Sequence, residues 1–243
     1  MVRGLFSAAS GMLAVMQAQR VITNNIANVS TPGYKRDIPV YRSFSTILQR
    51  ELQGDQRQSE VEDTFIDFSQ GEVESTGRVL DIAIKGKGFF VLLTPQGIAY
   101  TRAGNFSLDN KRRVITPDGY FLLGQRGILT IPSPKVSNLD INPQGEVIVN
   151  GKKIDKIRVE FFPNTSLYLY KKGENLFEPR GSKGTIQGSY LIKQGYLELS
   201  NVDIVKEMVS LIANLRLYEA AQRAAKLQDA TLEKVCNELQ IRI

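Results

Sequence analysis

The stretch SNVDIVKEMVSLIANLRLY, residues 200–218, decides the fold. Ser200, Asn201 and Asp203 are helix-capping residue types, because their short side chains accept bonds from the orphan N–H groups of a first turn. Ile204, Leu211, Tyr218, Ala225, Leu232 and Leu239 then recur every seven residues, and Met208, Leu215, Ala221 and Val235 widen the stripe. No glycine or proline interrupts residues 201–243. The spacing predicts one long amphipathic helix, and a helix of that length needs a partner to cover its apolar stripe.

The other end of the chain offers that partner. Leu5, Ala8, Met12, Val15, Gln19, Ile22, Ile26 and Val29 alternate steps of three and four, and all but Gln19 are apolar. This is a heptad seam on a helix over about residues 4–28. Thr31-Pro32-Gly33 ends it, since proline restricts the residue before it and glycine permits a sharp turn. Asn24, Asn25 and Asn28 sit at its close. Their amides compete for backbone groups and so can terminate a helix. Hydrogen bonding to a neighbouring chain is the other reading.

Between the helices the period changes from helical to strand-like. Short β-type runs such as Phe89–Leu93, Val114-Ile115, Tyr120–Leu123, Ile128–Ile131, Val147–Val149 and Ile157–Phe162 alternate with turn signals. The turns are Thr94-Pro95-Gln96-Gly97, Thr116-Pro117-Asp118-Gly119, Asn142-Pro143-Gln144-Gly145 and Asn150-Gly151. Proline presets φ and glycine supplies positive φ there, and Asn-Gly between β runs signals a hairpin. The expected fold is α+β: long N- and C-terminal helices pairing as a coiled coil around a central antiparallel all-β domain. Residues 1–30 and 201–243 would form the discontinuous helical domain, 31–79 and 181–200 extended connectors, and 80–180 the β domain. Gly86-Lys87-Gly88 lacks the ending and the following helix of a phosphate loop and reads as a hairpin turn.

Composition narrows the function. The chain of 243 residues has no histidine, one cysteine and a net charge of +6. The missing histidine removes Ser-His-Asp and Cys-His catalysis and argues against a zinc site. Asp81, Asp109 and Asp118 flank turns, where turn chemistry accounts for them. We therefore expect no enzyme activity, no cofactor, no metal and no small-molecule substrate. Basic residues are dispersed, without a run of five, so no nucleic-acid partner is expected. No apolar run approaches the roughly 20 residues that cross a bilayer, so no membrane insertion is expected. The first 19 residues do not read as a cleavable signal peptide. Cys236 reads as a small buried side chain.

Several motifs are more specific than this. Leu5–Met12 and Asn24–Lys35 resemble the N-terminal signature of the flagellar rod and hook axial protein family. Gly195–Asp203 resembles the lead into that family's C-terminal helix. Leu80–Phe90 and Tyr100–Phe106 resemble its β domain. Within the family, Asp67–Gly71 with Thr76-Gly77, and Gln228–Leu232, are more similar to the FlgF subtype than to FlgG. Arg78-Val79 and Leu215–Leu217 depart from the usual pattern and leave the subtype open.

The resemblance implies a structural subunit of the basal-body rod that self-associates head-to-tail into a helical tube and transmits torque from motor to hook. It implies other rod subunits and the flagellar type III export apparatus as partners, and a periplasmic place in the rod. The subunit contacts expected from it are Leu5, Met12, Val15, Ile22, Asn24, Asn25, Ile26 and Asn28 on the first helix. On the last helix they are Ile204, Met208, Leu211, Leu215, Tyr218, Ala225, Leu232 and Leu239. A distal-rod or hook-type subunit, or a helical adaptor that does not polymerise, are the alternatives.

Overall fold

The computed structural model describes residues 2–40, 64–132, 139–162, 165–173, 175–181, 185 and 188–240, with the side chains of residues 2–8, 166–167 and 232–240 outside that set. The chain divides into two compact units, Met1–Ala27 with Asp37–Phe65 and Asp203–Ile243, and Asn28–Arg36 with Ile66–Val202.

The first unit holds the two long helices, α1 (Val2–Ala27) and a C-terminal helix of 37 residues (Ile204–Gln240). A short strand, β1 (Asp37–Pro39), follows α1 and pairs with β2 (Thr64–Ile66). The C-terminal helix begins as the capping residues predict. Asp203 Oδ1 accepts the Val205 and Lys206 N–H groups at 3.1 and 3.2 Å, and Asp203 O accepts the Glu207 N–H at 3.0 Å. The Lys206 backbone bond, with help from its side chain, holds the Asp203 carboxyl below its ordinary value.

The second unit is built from strands. In chain order they are β3 (Val73–Ser75), β4 (Ile82–Gly86), β5 (Phe89–Thr94), β6 (Gly97–Thr101), β7 (Ser107–Leu108), β8 (Val114–Ile115) and β9 (Phe121–Leu122). Then come β10 (Leu139–Ile141), β11 (Glu146–Val149), β12 (Lys152–Lys156) and β13 (Val159–Glu160). A single helical turn, α2 (Thr165–Tyr168), leads to β14 (Leu169–Lys171), β15 (Phe177–Pro179), β16 (Tyr190–Gln194) and β17 (Tyr196–Glu198), so the C-terminal helix is α3. The main sheet runs β14-β15-β6-β5-β9-β8-β7, with β13 also on β5. β10-β11-β12 form a second antiparallel sheet, while β16 pairs with β4 and β17 with β3.

Alternation along β5 builds the core on both faces of the main sheet. Phe90 and Leu92 join Ile82, Ile84, Leu122, Val147, Ile157 and Ile192 on one face. Phe89 and Val91 join Tyr100, Leu123, Phe162, Leu169 and Phe177 on the other. The rings of Phe68, Phe89, Tyr100, Phe162 and Phe177 close that second cluster, with Phe89 edge-on to both Phe68 and Phe177. Glu160 at this cluster is paired: Tyr100 Oη donates to Glu160 Oε2 at 2.7 Å, and Arg158 Nε to Glu160 Oε1 at 2.8 Å. The predicted turns fall where expected. Asn150 and Gly151, at φ 52° and 75°, join β11 to β12, and the Thr94–Gly97 turn joins β5 to β6 in register Thr94↔Gly97.

Two expectations are corrected. The expected coiled coil of long helices is not what the chain forms: among the described residues there are two long helices and a mostly antiparallel β body. Among the described side chains of α3 the most buried are Glu207 and Asn214, whereas Ile204, Met208 and Leu215 are exposed. The physical reason is that α3 carries apolar residues on more than one face. Its sevenfold spacing therefore only partly marks the covered face: Leu211, Tyr218 and Ala225 lie on it, whereas Ile204 does not. Gly86-Lys87-Gly88 is likewise no hairpin, because β4 and β5 do not pair; it passes the chain from one sheet to another.

Among the described glycines the tightest approach is at Gly104, where a Cβ would lie 1.6 Å from the Ile82 carbonyl oxygen. Gly104→Ala is expected to destabilise the chain by about 3 kcal/mol through overpacking, read as a lower urea midpoint. The cap gives a pH signature. Because the folded Asp203 value is depressed, its contribution is complete above about pH 4, the ordinary aspartate value, and is lost as pH falls through the folded value. Asp203→Asn should keep the cap and remove that part of the acid dependence. Asp203→Ala should lower helicity in far-UV circular dichroism at neutral pH.

Candidate functional site

Two features bear on what the molecule does: the faces of the helices in the first unit, and a buried ionic knot in the second. On α1 the covered residues are Ala18, Val21, Ile22 and Asn25, at steps of three and four. On α3 the less exposed face runs Glu207, Leu211, Asn214, Tyr218, Ala221 and Ala225. Small and polar side chains thus occupy much of the approach between the helices. Asn25, in the last turn of α1, is fully buried. Its Nδ2 donates to the Asp37 carbonyl at 2.8 Å and to Glu207 Oε2 at 3.4 Å, and its Oδ1 accepts the Asp37 N–H at 2.9 Å. One amide therefore ties α1, β1 and α3 together.

The other expected contact residues are distributed unevenly. Met12, Val15 and Ile26 are half-buried, Asn24 is exposed, and Asn28 Oδ1 accepts the Thr31 hydroxyl at 3.2 Å. Leu211, Tyr218 and Ala225 lie on the less exposed face of α3, opposite in character to Ile204, Met208 and Leu215. The side chains of Leu5, Leu232 and Leu239 lie outside the described residues. A further exposed set that the heptad did not single out comprises Leu13 and Met16 on α1, and Val205, Val209, Ile212, Leu217 and Leu227 on α3. The signal for it is in the sequence: Val205, Val209 and Ile212 are themselves spaced by four and three.

The second feature explains the motif segments flanking the helices. Lys35 Nζ donates to Glu198 Oε1 at 2.5 Å and to the Ser69 carbonyl at 2.7 Å. Arg102 Nη1 donates to Glu198 Oε2 at 3.1 Å, and its Nη2 to the Gly86 carbonyl at 2.7 Å. The side chains of Lys35 and Glu198 are fully buried and that of Arg102 nearly so. Burial pushes the Lys35 ammonium below its ordinary value, against the opposing pull of Glu198, and burial does the same to Arg102. The surrounding backbone is equally tied. The Gly33 N–H donates to the Glu198 carbonyl at 2.7 Å, and the Arg36 N–H to Asn201 Oδ1 at 2.7 Å. Asn201 Nδ2 donates to the Asp67 carbonyl at 2.8 Å. Gly33 has φ 70°, and a Cβ there would lie 2.3 Å from the Ala103 nitrogen. Pro-Gly-Tyr-Lys and Glu-Leu-Ser-Asn are thus the two halves of one knot. Sequence reading missed Lys35 and Glu198 as partners. The available hint was Glu198 between Leu197 and Leu199, a charge in an otherwise apolar run.

Asn25→Leu removes the amide that bridges β1 and α3 in a buried site. The expected cost is about 2 kcal/mol, since the partners lose their bonds away from water. It is checked by chemical denaturation and by loss of hydrogen-exchange protection at the C-terminal end of α1.

Comparison with known proteins gives these features a family. Three family models match in chain order: "Flagella basal body rod protein" at residues 5–35, "Flagellar hook protein FlgE/F/G D1 domain" at 83–149, and "Flagellar basal body rod FlgEFG protein C-terminal" at 193–238. The flagellar basal-body rod protein FlgG of Bacillus subtilis is 34% identical, over 98% of this chain and 99% of the relative. FlgG of Borreliella burgdorferi is 31% identical over 96% and 97%. FlgF of Caulobacter vibrioides is 30% identical over 94% and 93%. The ordering that placed FlgF before FlgG is not confirmed. With identity of this level along nearly its whole length, the chain belongs to the flagellar basal-body rod protein family, as a structural subunit of the basal body.

Proposed function

We propose that the chain associates head-to-tail with its own copies and with other rod and hook subunits, forming an open helical tube that carries torque, and that it does so without catalysis. A contact between two different faces generates an open helix when its rotation fails to close. The observation that carries this reading is the outward apolar stripe of α3. Val205, Val209 and Ile212 follow at helical spacing, with Met208 and Leu215 beside them, and Val209 is 62% exposed. Apolar surface of this kind gains roughly 25 cal/mol per Å² when covered, and a contiguous exposed patch marks a protein contact. Leu13 and Met16 offer a second exposed apolar face on α1.

We assign Met12, Val15 and Ile26 of α1 and Ile204, Met208 and Leu215 of α3 to such contacts, together with that stripe. Membership of the family supports export through the flagellar type III apparatus without signal cleavage. The adaptor reading, in which the chain binds one helix and stops, is not favoured: nothing in the stripe limits it to one partner.

Val209→Asp tests this. The side chain is exposed in the subunit, so the purified variant should melt within about 1 °C of the parent, as surface substitutions do. A charge that must be buried unpaired in the contact is strongly unfavourable, so incorporation into the rod and motility should be lost. Normal motility with Val209→Asp as the sole copy would overturn the assignment. A discrete complex of the parent chain at every concentration would favour the adaptor.

A further inference from the structure

The triad of Lys35, Arg102 and Glu198 lies outside the helix faces on which the assembly reading rests. We propose that it makes closure of the β body conditional on its last strand. Until Glu198 docks, the body has no favourable closed state, so the segments after α1 and before α3 are committed together.

The argument begins with charge. Two cations share one carboxylate, and all three side chains are at most 5% exposed. Without Glu198, Lys35 keeps the Ser69 carbonyl, and Arg102 the carbonyls of Ile84 and Gly86. Those are dipoles, not a countercharge. The two cations also oppose each other, since Arg102 lowers the Lys35 value, and Asp67 is the other acid whose charge reaches Lys35. Burying cations without a carboxylate is strongly unfavourable.

Docking of Glu198 also completes several bonds at once. Its carboxylate receives both cations and the Gly71 N–H at 3.1 Å. Its backbone carbonyl accepts the Gly33 N–H at 2.7 Å. The next residue, Leu199, donates to the Glu72 carbonyl at 2.7 Å, while β17 pairs with β3 in register Glu198↔Val73. One residue therefore satisfies groups of Gly33, Lys35, Gly71 and Arg102 together. An apolar triple of similar volume could pack there with no such condition, and buried triads replaced in that way often gain stability. What the ions add is dependence on the last strand, at the expense of surplus stability.

The test uses the full-length chain, with thermal melts, refolding from urea followed by tyrosine fluorescence, and trypsin digestion. Glu198→Gln keeps the shape and removes the charge. It should lower Tm by about 10 °C and expose the bonds after Lys35 and Arg36 to trypsin, at which the parent is expected to be resistant. The triple variant Lys35→Met, Arg102→Met, Glu198→Leu should melt at or above the parent and refold at least as fast, because closure no longer waits for a countercharge. The proposal is overturned if Glu198→Gln melts like the parent. It is equally overturned if the triple variant is as unstable as Glu198→Gln, or fails to fold, since the triad would then be an ordinary attractive contact.

Discussion

Much of the second unit's arrangement depends on one carboxylate that has no access to water. Glu198 is fully buried and receives Lys35, Arg102 and a backbone N–H. A charge in that position is tolerated only when its geometry and hydrogen bonds are complete. That requirement fixes its neighbours. Gly33 and Gly71 stand where a side chain would collide with Ala103 and Leu199. Asn201 orients the backbone at Arg36 and at Asp67. Lys171 lies over the Tyr34 ring and donates to the Lys35 carbonyl, so β14 is drawn in as well. The segments after α1 and before α3 are held by the same few atoms.

In the first unit, polar groups again supply much of the specificity. Asn25 and Glu207 are buried where a simple amphipathic model would place leucine or isoleucine. Small residues, Ala18 on α1 with Ala221 and Ala225 on the less exposed face of α3, permit close approach, while the amide of Asn25 selects which residues meet. A seam of interchangeable apolar side chains could slide by a turn at modest cost. A buried amide with defined partners cannot, as with a lone asparagine in an otherwise apolar helical seam.

The sequence made the turns and the central strands legible because their chemistry is local. Asn150-Gly151 requires two positive φ angles, and few residue pairs other than Asn-Gly meet that demand. Phe89–Leu93 could be read as a strand from composition alone. The strands β16 and β17 were legible only as extended chain, because their partners, β4 and β3, lie more than a hundred residues earlier. Lys35, Arg102 and Glu198 were recognisable as parts of motifs, but their pairing is a tertiary fact that no local window contains. The helices were legible as helices and their covered faces only in part: Ile22, Leu211, Tyr218 and Ala225 lie on them, whereas Ile204, Met208 and Leu215 do not. Periodicity reports that a helix is amphipathic; when apolar residues cover two faces, it does not report which one is used first.

The distribution of polarity links the two units to the family. The chain buries Lys35, Arg102 and Glu198 and leaves Val205, Val209, Ile212 and Leu217 in contact with water. For a protein that acts alone this would be a poor arrangement, since exposed apolar patches invite association and buried ions add little stability. For a member of the rod family it is coherent. Apolar surface is non-directional and gains free energy whenever it is covered, so it suits a contact repeated along an assembly. Ion and amide networks are directional and fail when a single partner is missing, so they suit the interior of each subunit, where one exact conformation must precede the contact. On this view adhesion resides in the helix faces and conformational selection in the buried polar groups. On the proposed reading the two would change independently: altering α3's outer stripe would change what the subunit binds, while altering Glu198 would change whether the β body closes.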